Sequence, residues 1–285
     1  MEVSLKSGNV SAKINSHGAE LKSLVIGGRE LMWSADPAFW GKTAPILFPM
    51  VGTLKNGKTL IHGREYAVPR HGFTRDLELN AETVSGTSVL FSLEQSGYTK
   101  EYYPFDFRFT VQYTLKADGI TATHRVRNNS AEDMPFCIGA HPAFAFDGDL
   151  SDFRLEFAKP ETAAVPLLNL EQGVFEPQNR TPLLENSAAL PLSHELFYRD
   201  VLYFEKPVSR SVSFLGRDNR GVRVDFPDFT GLGVWQAKDA PFLCLEPWCG
   251  SADFADCTGV FAEKQGIEIL KPGEEKGYTL SITAV

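Results

Sequence analysis

The chain has 285 residues, of which 43% are hydrophobic and 22% are charged, so it can build a large core and is not a disordered chain. Its formal net charge of −8 argues against nucleic acid and against anionic membrane surfaces as the main partner. The N-terminus lacks the basic segment and apolar core of a signal peptide, and no apolar run approaches the roughly 18 residues of a membrane span. We therefore expect a cytoplasmic protein.

Short alternating or apolar runs, closed by Gly, Asn, Asp or Pro, follow one another along the chain. Two such runs surround Gly27-Gly28, which predicts a hairpin because paired glycines accept positive φ. From Phe105 to Leu115 every second residue is apolar, and a turn at Asp118 follows. A period of two over this length predicts β-strands rather than a helix.

Helical signals are weak, and they are confined to two short segments, 34–40 and 193–200, with Ser34 and Ser193 as possible N-caps. Strand-like runs continue from there to the C-terminus. There is no alternation of strands and helices, no fixed-period repeat and no linker. The prediction is a single all-β domain over residues 1–285, folded as a large antiparallel β-sandwich.

The four cysteines do not have the spacing of a zinc finger. Two of them, Cys137 and Cys244, lie in apolar runs. We interpret all four as reduced thiols that pack in the core, and we predict no metal site. The other two cysteines are Cys249 and Cys257.

Two of the six histidines lie where a strand-like run gives way to a loop, the position at which rigid scaffolds often carry binding groups. They are His71, in "VPRHGFTRD", and His141, in "FCIGAHPAFAF". Taken alone, each is interpreted as a loop histidine with its hydrogen bonds satisfied, and a binding or proton-transfer role is the alternative. The other histidines have turn, surface or packing settings: His17, His62, His124 and His194.

A single glutamate ends an apolar run in "APFLCLEPWCG". A carboxylate at that position, Glu246, must be paired, neutral or directed into a cavity, because burying it alone is costly. Burial would raise its pKa from about 4.3, and a nearby imidazolium would lower it, so the group suits a general base. The alternative is a buried ion pair with an arginine. Sequence motifs of serine hydrolases, P-loop proteins, dinucleotide-binding proteins and zinc proteases are absent.

The motifs "PRHGF", "GAHPAF", "RDVLYFEKPVSRSVSF" and "WQAKDAPFLCLEPW" together resemble the aldose 1-epimerase (galactose mutarotase-like) family. The likeness runs along essentially the whole chain, and it is to the shorter branch associated with bacterial lactose operons. It implies a β "supersandwich" and an isomerase of carbohydrate metabolism. Such an enzyme binds a small-molecule sugar and interconverts the α and β anomers of a free hexose, and it needs no metal and no organic cofactor.

The resemblance also implies roles for individual residues. His141 would be the general acid toward the ring oxygen, and Glu246 the base at the anomeric hydroxyl. His71 would bind the ring-side oxygens, and Asp200 would accept hydrogen bonds from sugar hydroxyls. Trp248 is a candidate for stacking on the sugar ring. The other tryptophans are further stacking candidates: Trp33, Trp40 and Trp235.

One position departs from the pattern of this branch. The stretch "FPMVGTLKNG" commonly holds an arginine where this chain has Thr53. Lys55, two residues on, would lie on the same side of an extended chain and could replace the charge. Arg70, beside His71, is a second possible replacement. The substrate therefore stays open at this stage.

Three rival functions remain. A hexose 6-phosphate 1-epimerase would need a cation at the edge of the site, from Lys55, Arg70 or Arg75. A non-catalytic carbohydrate-binding protein would not need an acid–base pair. A glycosidase would need two carboxylates, for which Glu246 and Asp200 are the candidates. The sequence selects neither the sugar nor an oligomeric state.

Overall fold

Strands dominate the computed structural model, which describes all 285 residues. The strands up to residue 136 are Glu2–Ser7 (β1), Val10–Asn15 (β2), Glu20–Ile26 (β3), Arg29–Glu30 (β4), Ile46–Leu47 (β5), Thr59–Ile61 (β6), Arg64–Tyr66 (β7), Asn80–Ser85 (β8), Ser88–Glu94 (β9), Phe107–Leu115 (β10), Gly119–Asn128 (β11) and Met134–Phe136 (β12). Those that follow are Ile138–Ala140 (β13), Ala143–Ala145 (β14), Arg154–Asn169 (β15), Val174–Pro191 (β16), Leu202–Phe204 (β17), Ser211–Leu215 (β18), Gly221–Asp225 (β19), Gly231–Trp235 (β20), Phe242–Cys249 (β21), Glu268–Leu270 (β22) and Glu275–Ala284 (β23).

Two large antiparallel sheets form the body of the fold. The nine-stranded sheet has the order β16-β15-β18-β19-β23-β11-β10-β9-β8. The six-stranded sheet has the order β17-β20-β21-β13-β5, with β14 paired to β21. A four-stranded sheet, β1 to β4, and two small ladders, β12-β22 and β6-β7, complete the set. Every ladder between these strands is antiparallel, as the sequence predicted.

The core lies between the two large sheets and consists mainly of aromatic and branched side chains. Along β10 every second residue is buried, so the strand presents one apolar face to the core. Phe48, next to β5, packs on Phe107 and Phe109 of β10 with ring centroids 5.2 and 5.3 Å apart. A single cluster of 72 buried apolar residues runs through this space. The predicted all-β sandwich is therefore confirmed.

The hairpin predicted at Gly27-Gly28 is present between β3 and β4, and both glycines have positive φ. His124, predicted to pack, is buried in β11. All four cysteines are free thiols, and three of them are buried.

The helical predictions were less accurate. Residues 34–40 form only a turn, and residues His194–Phe197 form a 3₁₀ turn that Ser193 does not cap. The one α-helix, Gly97–Tyr102 (α1), was not predicted, although Ser96 and Thr99 form a capping box at its start. The remaining 3₁₀ turns are Lys55–Gly57, Thr74–Asp76, Leu150–Asp152 and Phe261–Glu263. With six residues, α1 is far too short to cross a membrane, and the structure holds no helix that could.

Candidate active site

A cavity of about 310 Å³ is lined by side chains of β20 and β21 in the six-stranded sheet and by residues of nearby loops. This volume is at the lower end of the range for small-molecule sites. Charged, imidazole and aromatic side chains make up much of its wall. The lining residues are Trp40, Gly52, Thr53, Arg70, His71, Arg75, His141, Leu168, Gly173, Phe175, Asp200, Val201, Trp235, Glu246, Trp248 and Ala252.

Glu246 reaches the cavity from the middle of β21, a strand that is buried along its whole length. Because side chains alternate along a strand, Glu246 shares its face with Trp248. The backbone of Glu246 pairs with Gly233 of β20, and a Cβ on that glycine would lie 2.7 Å from the Trp248 ring. The small residue in β20 therefore makes room for the tryptophan beside the carboxylate.

His141 follows β13 and lies between the two chain segments that fix its backbone. Its N–H donates to the carbonyl of Pro45 at 3.1 Å, and the next residue, Pro142, accepts from the N–H of Leu245 at 3.1 Å. This places His141 Nε2 3.2 Å from Glu246 Oε2. The side chains are 9% and 1% exposed, so the pair is almost completely removed from bulk solvent.

Two tryptophans hold the His141 ring. Trp40 stacks on it, with ring centroids 4.8 Å apart and an interplanar angle of 26°. Trp235 meets it edge-on at 5.7 Å and 78°. Such aromatic contacts restrict rotation of the imidazole and exclude water from it. The ring of His141 is thus oriented by packing as well as by its backbone.

Burial shifts the pKa of each member of the His141–Glu246 pair away from its charged form. It raises the pKa of Glu246 well above its ordinary value, and the negative charge of Asp200 adds to this effect. It lowers the pKa of His141 well below the ordinary value of a histidine. The 3.2 Å contact opposes both shifts, since carboxylate and imidazolium stabilise each other. Carboxylic acid with neutral imidazole, and carboxylate with imidazolium, are the two arrangements in which the pair carries a single transferable proton.

His71 meets the His141 ring edge-on, with ring centroids 5.8 Å apart and an interplanar angle of 78°. Its backbone has φ = +65°, and the following Gly72 has φ = +74°. A Cβ on Gly72 would lie 2.1 Å from the carbonyl oxygen of Phe48, so only glycine fits there. Burial, the nearby His141 and two arginines lower the pKa of His71 well below its ordinary value. The ring is therefore neutral.

The tautomer of His71 follows from its neighbours. The backbone N–H of Gly52 donates to Nδ1 at 3.2 Å, and Arg70 Nε lies 3.3 Å from Nε2. A neutral imidazole accepts at only one nitrogen. The Gly52 donor belongs to the backbone and makes the shorter bond, whereas the Arg70 side chain is exposed, so Nδ1 accepts and Nε2 carries the proton. This leaves His71 Nε2–H as a donor at the cavity wall.

Several polar groups of the cavity have no protein partner. Buried His141 Nδ1 and Trp248 Nε1 make no hydrogen bond, and buried Glu246 Oε2 makes none beyond its 3.2 Å contact with His141 Nε2. Asp200, half-buried with φ = +74°, uses Oδ1 to accept from the N–H of Val201 at 2.8 Å. Buried polar atoms are nearly always hydrogen-bonded, so unpartnered ones at a cavity wall indicate places for ligand atoms.

Six of the seven predicted site residues line this one cavity. They are His71, His141, Glu246, Asp200, Arg70 and Trp248. The seventh, Lys55, lies outside the cavity, where its ammonium group donates to the carbonyl of Ala255. Thr53 is at the wall, and the positive charge near it comes from Arg70 and Arg75.

Other lining residues were not predicted from the sequence. The tip of the β15–β16 hairpin contributes Leu168, Gly173 and Phe175. Phe175 N–H donates to the carbonyl of Asp253 at 2.8 Å, and this bond ties the tip to the cavity wall. The glycine in "NLEQGVF" is a turn signal, but it indicates only a hairpin and not where its tip packs.

The model of the aldose 1-epimerase family matches residues 1–283 of the chain. The chain belongs to the aldose 1-epimerase family. This membership makes it an isomerase-type enzyme of the mutarotase kind.

Relatives of this family member agree with the assignment along the full chain. It is 34% identical to the plasmid-encoded protein LacX of Lactococcus lactis subsp. lactis, over 99% of each chain. It is similar to a galactose mutarotase related enzyme from Lactobacillus acidophilus, with 30% identity, a TM-score of 0.91 and coverage of 100% and 97%. A galactose mutarotase-like protein from Lactobacillus casei has 26% identity, a TM-score of 0.93 and full coverage of both chains.

Proposed function

We propose that this protein interconverts the α and β anomers of a free hexose by acid–base ring opening and reclosure. The observation that carries the proposal is the contact of His141 Nε2 with Glu246 Oε2 at 3.2 Å on the cavity wall. The two oxygens that must exchange protons, the anomeric hydroxyl and the ring oxygen, are both bonded to C1. An acid and a base that are close neighbours can therefore serve both.

In the proposed mechanism, the Glu246 carboxylate takes the proton of the C1 hydroxyl while His141 donates a proton to the ring oxygen. The bond from C1 to the ring oxygen breaks, and an open-chain aldehyde forms. Rotation about C1–C2 presents the other face of the carbonyl. Reclosure returns each proton to its origin, so the protein ends as it began. Each well-placed acid or base contributes on the order of 10² to 10⁴ in rate.

The cavity's other groups have supporting roles in this proposal. His71 Nε2–H donates to a sugar oxygen, and Asp200 accepts from sugar hydroxyls. The unpartnered Trp248 Nε1 offers a second donor, and its ring an apolar surface for the sugar. These contacts hold the sugar with C1 beside His141 and Glu246. Such positioning of the reacting atoms contributes to the rate.

The test is to replace Glu246 by Gln, which keeps the shape and removes the base. We expect mutarotation of freshly dissolved α-glucose and α-galactose, followed by polarimetry, to fall by about 10² or more. Glu161→Gln is the matched control, because Glu161 is buried but lies outside the cavity. Retained activity in folded Glu246→Gln protein would show that the base is elsewhere. Binding of sugar without any acceleration in the wild type would favour the carbohydrate-binding alternative.

A second candidate substrate, a hexose 6-phosphate, is favoured by the two arginines at the wall. Arg70 forms no ion pair with a carboxylate, whereas Arg75 lies 3.5 Å from Asp76 and donates to the carbonyl of Arg70 at 2.9 Å. Guanidinium groups near a cavity suit a phosphate.

Replacing Arg70 by Gln distinguishes the two substrates. If the phosphate is the substrate, kcat/KM for hexose 6-phosphate falls about tenfold or more, as expected for a lost hydrogen bond to a charged group. The value for the free hexose should change little. Arg64→Gln, an exposed arginine outside the cavity, is the control. Equal losses for both sugars would mean that Arg70 supports the site in general and selects no phosphate.

A further inference from the structure

Three side chains of the kinds that bind zinc meet behind the cavity wall. One ligand atom from each of His141, Cys244 and Glu246 lies within 4.8 Å of the other two. Cys244 and Glu246 share one face of β21, because they are two residues apart on a strand. We propose that these three residues form an inhibitory site for Zn²⁺ or a similar thiophilic divalent cation.

The geometry needs only a small adjustment. In a tetrahedral zinc site with nitrogen and oxygen ligands at about 2.0–2.2 Å, these two atoms are about 3.3 Å apart. His141 Nε2 and Glu246 Oε2 are already 3.2 Å apart. With a zinc–sulfur distance of about 2.3 Å, the sulfur would have to lie about 3.5 Å from each of them, which is about 1.3 Å less than the 4.8 Å within which the three ligand atoms lie.

Two atoms of the cluster are available to bind a metal ion. Buried Glu246 Oε2 makes no hydrogen bond beyond its contact with His141 Nε2, and the thiol of Cys244 is free. The cavity borders the cluster on the side of His141 and Glu246. A bound ion would therefore have three protein ligands and an open fourth position filled by water or a sugar oxygen, the arrangement of accessible zinc sites.

Charge balance favours the metal in this buried place. Binding displaces two protons to solvent, one from the Cys244 thiol and one from the His141–Glu246 pair. The two charges of the cation are then matched by one thiolate and one carboxylate, and the complex is neutral. A neutral cluster avoids the cost of burying net charge. Without the metal, burial and the nearby Glu246 raise the pKa of Cys244, so the thiol stays protonated.

The functional consequence rests on the proposed mutarotase activity, whereas the binding does not. A metal ion on His141 and Glu246 occupies both groups and removes the proton they share. Neither proton donation nor proton acceptance at C1 is then available. Zinc should inhibit the reaction, and a chelator should restore it.

X-ray absorption of the protein with one equivalent of Zn²⁺ tests the site directly. We expect one sulfur at about 2.3 Å and lighter ligands at about 2.0–2.2 Å. Cys257→Ser, which removes the most exposed thiol, should leave the sulfur in the spectrum, and Cys244→Ser should remove it. A wild-type spectrum without sulfur, or a sulfur lost with Cys257 instead, would overturn the proposal. If Cys244→Ser does not fold, the wild-type and Cys257→Ser spectra decide it.

Polarimetry with added zinc tests the inhibition. Cys244→Ser should keep its metal-free activity and need about tenfold or more zinc for half-inhibition, in line with the loss of a metal ligand. Sulfur-bound zinc without inhibition would contradict the inhibitory role. Absence of mutarotation in the metal-free protein would instead contradict the proposed function, and the absorption spectrum would still decide whether the metal site exists.

Discussion

At the scale of single residues, the orientation of His141 depends on a tryptophan that comes from a distant part of the chain. Trp40 covers one face of the imidazole, and its carbonyl accepts from Trp33 Nε1 at 2.9 Å, which fixes the loop that carries it. Trp40 is thus a positioning residue for the proposed acid. It acts by limiting rotation of the ring and the access of water.

Replacing Trp40 by Ala should lower kcat about tenfold, which corresponds to about 1.4 kcal/mol, the upper part of the range for an aromatic pair. Trp40→Phe keeps a flat ring over the imidazole and should recover most of the rate. Polarimetric kcat for both variants is the measurement. Equal losses in the two variants, or a loss confined to KM, would show that Trp40 contacts the sugar and does not position the histidine.

Some of the site could be predicted from local sequence and some could not. Glu246 stands out because a carboxylate that ends an apolar run needs a reason to be there. His71 and His141 stand out because of their loop positions and the family motifs. Trp40 was named only as a possible sugar-stacking residue, because nothing in "DPAFWG" indicates that the ring packs on a histidine 101 positions later.

At the scale of the elements, a buried ion pair joins three segments of the cavity wall. The side chains of Lys264 and Asp253 are 4% and 3% exposed, and the two groups are in contact. Asp253 Oδ2 also accepts from the N–H of Lys55 at 2.8 Å. The backbone of Asp253 bonds to Thr53 and to Phe175 at the hairpin tip. The pair therefore stabilises the wall at the place where the hairpin meets it.

Replacing Lys264 by Met leaves the Asp253 carboxylate buried without its partner. We expect a loss of about 3–5 kcal/mol in the free energy of unfolding, measured by urea denaturation. Lys271→Met is the control, because Lys271 forms an exposed pair with Asp133 and its loss should leave the free energy of unfolding nearly unchanged. Similar small changes in both variants would mean that the buried pair is not a stabilising contact.

The strands were easier to predict than the helices for a physical reason. Residues 107–115 alternate strictly because one face of β10 is in the core, and this is visible in the sequence itself. The short helix α1 buries only Thr99, so it has no apolar stripe to reveal it, and only its capping box could have indicated it. The cavity walls formed by the β15–β16 hairpin depend on packing between distant segments, which no local pattern encodes.

At the scale of the whole molecule, stability should depend on pH through buried neutral histidines. His124 lies in the core between the sheets, and burial lowers its pKa to about 4. The unfolded state binds a proton at about pH 6.5, whereas the folded state does not until about pH 4. The contribution of neutral His124 to the free energy of unfolding is therefore fully present above about pH 6.5 and is lost as the pH falls toward about 4.

His124→Leu removes this proton-binding difference. The wild type should lose up to about 3 kcal/mol more unfolding free energy than the variant between pH 7 and pH 4. Urea denaturation over this range is the measurement. His17→Gln, which removes an exposed imidazole, is the control. Parallel pH profiles for wild type and His124→Leu would show that another group governs acid stability.

Gly52 and His71 are joined by two hydrogen bonds, and one of them holds the His71 ring. Gly52 accepts from the N–H of His71 through its carbonyl, at 3.0 Å, and donates its own N–H to Nδ1. This is the two-way exchange of an antiparallel rung, with an imidazole nitrogen in place of one main-chain oxygen. The His71 side chain therefore takes part in the pairing of the two loops. The bond from Gly52 that helps to fix this pairing also makes Nδ1 the acceptor, which leaves the proton on Nε2.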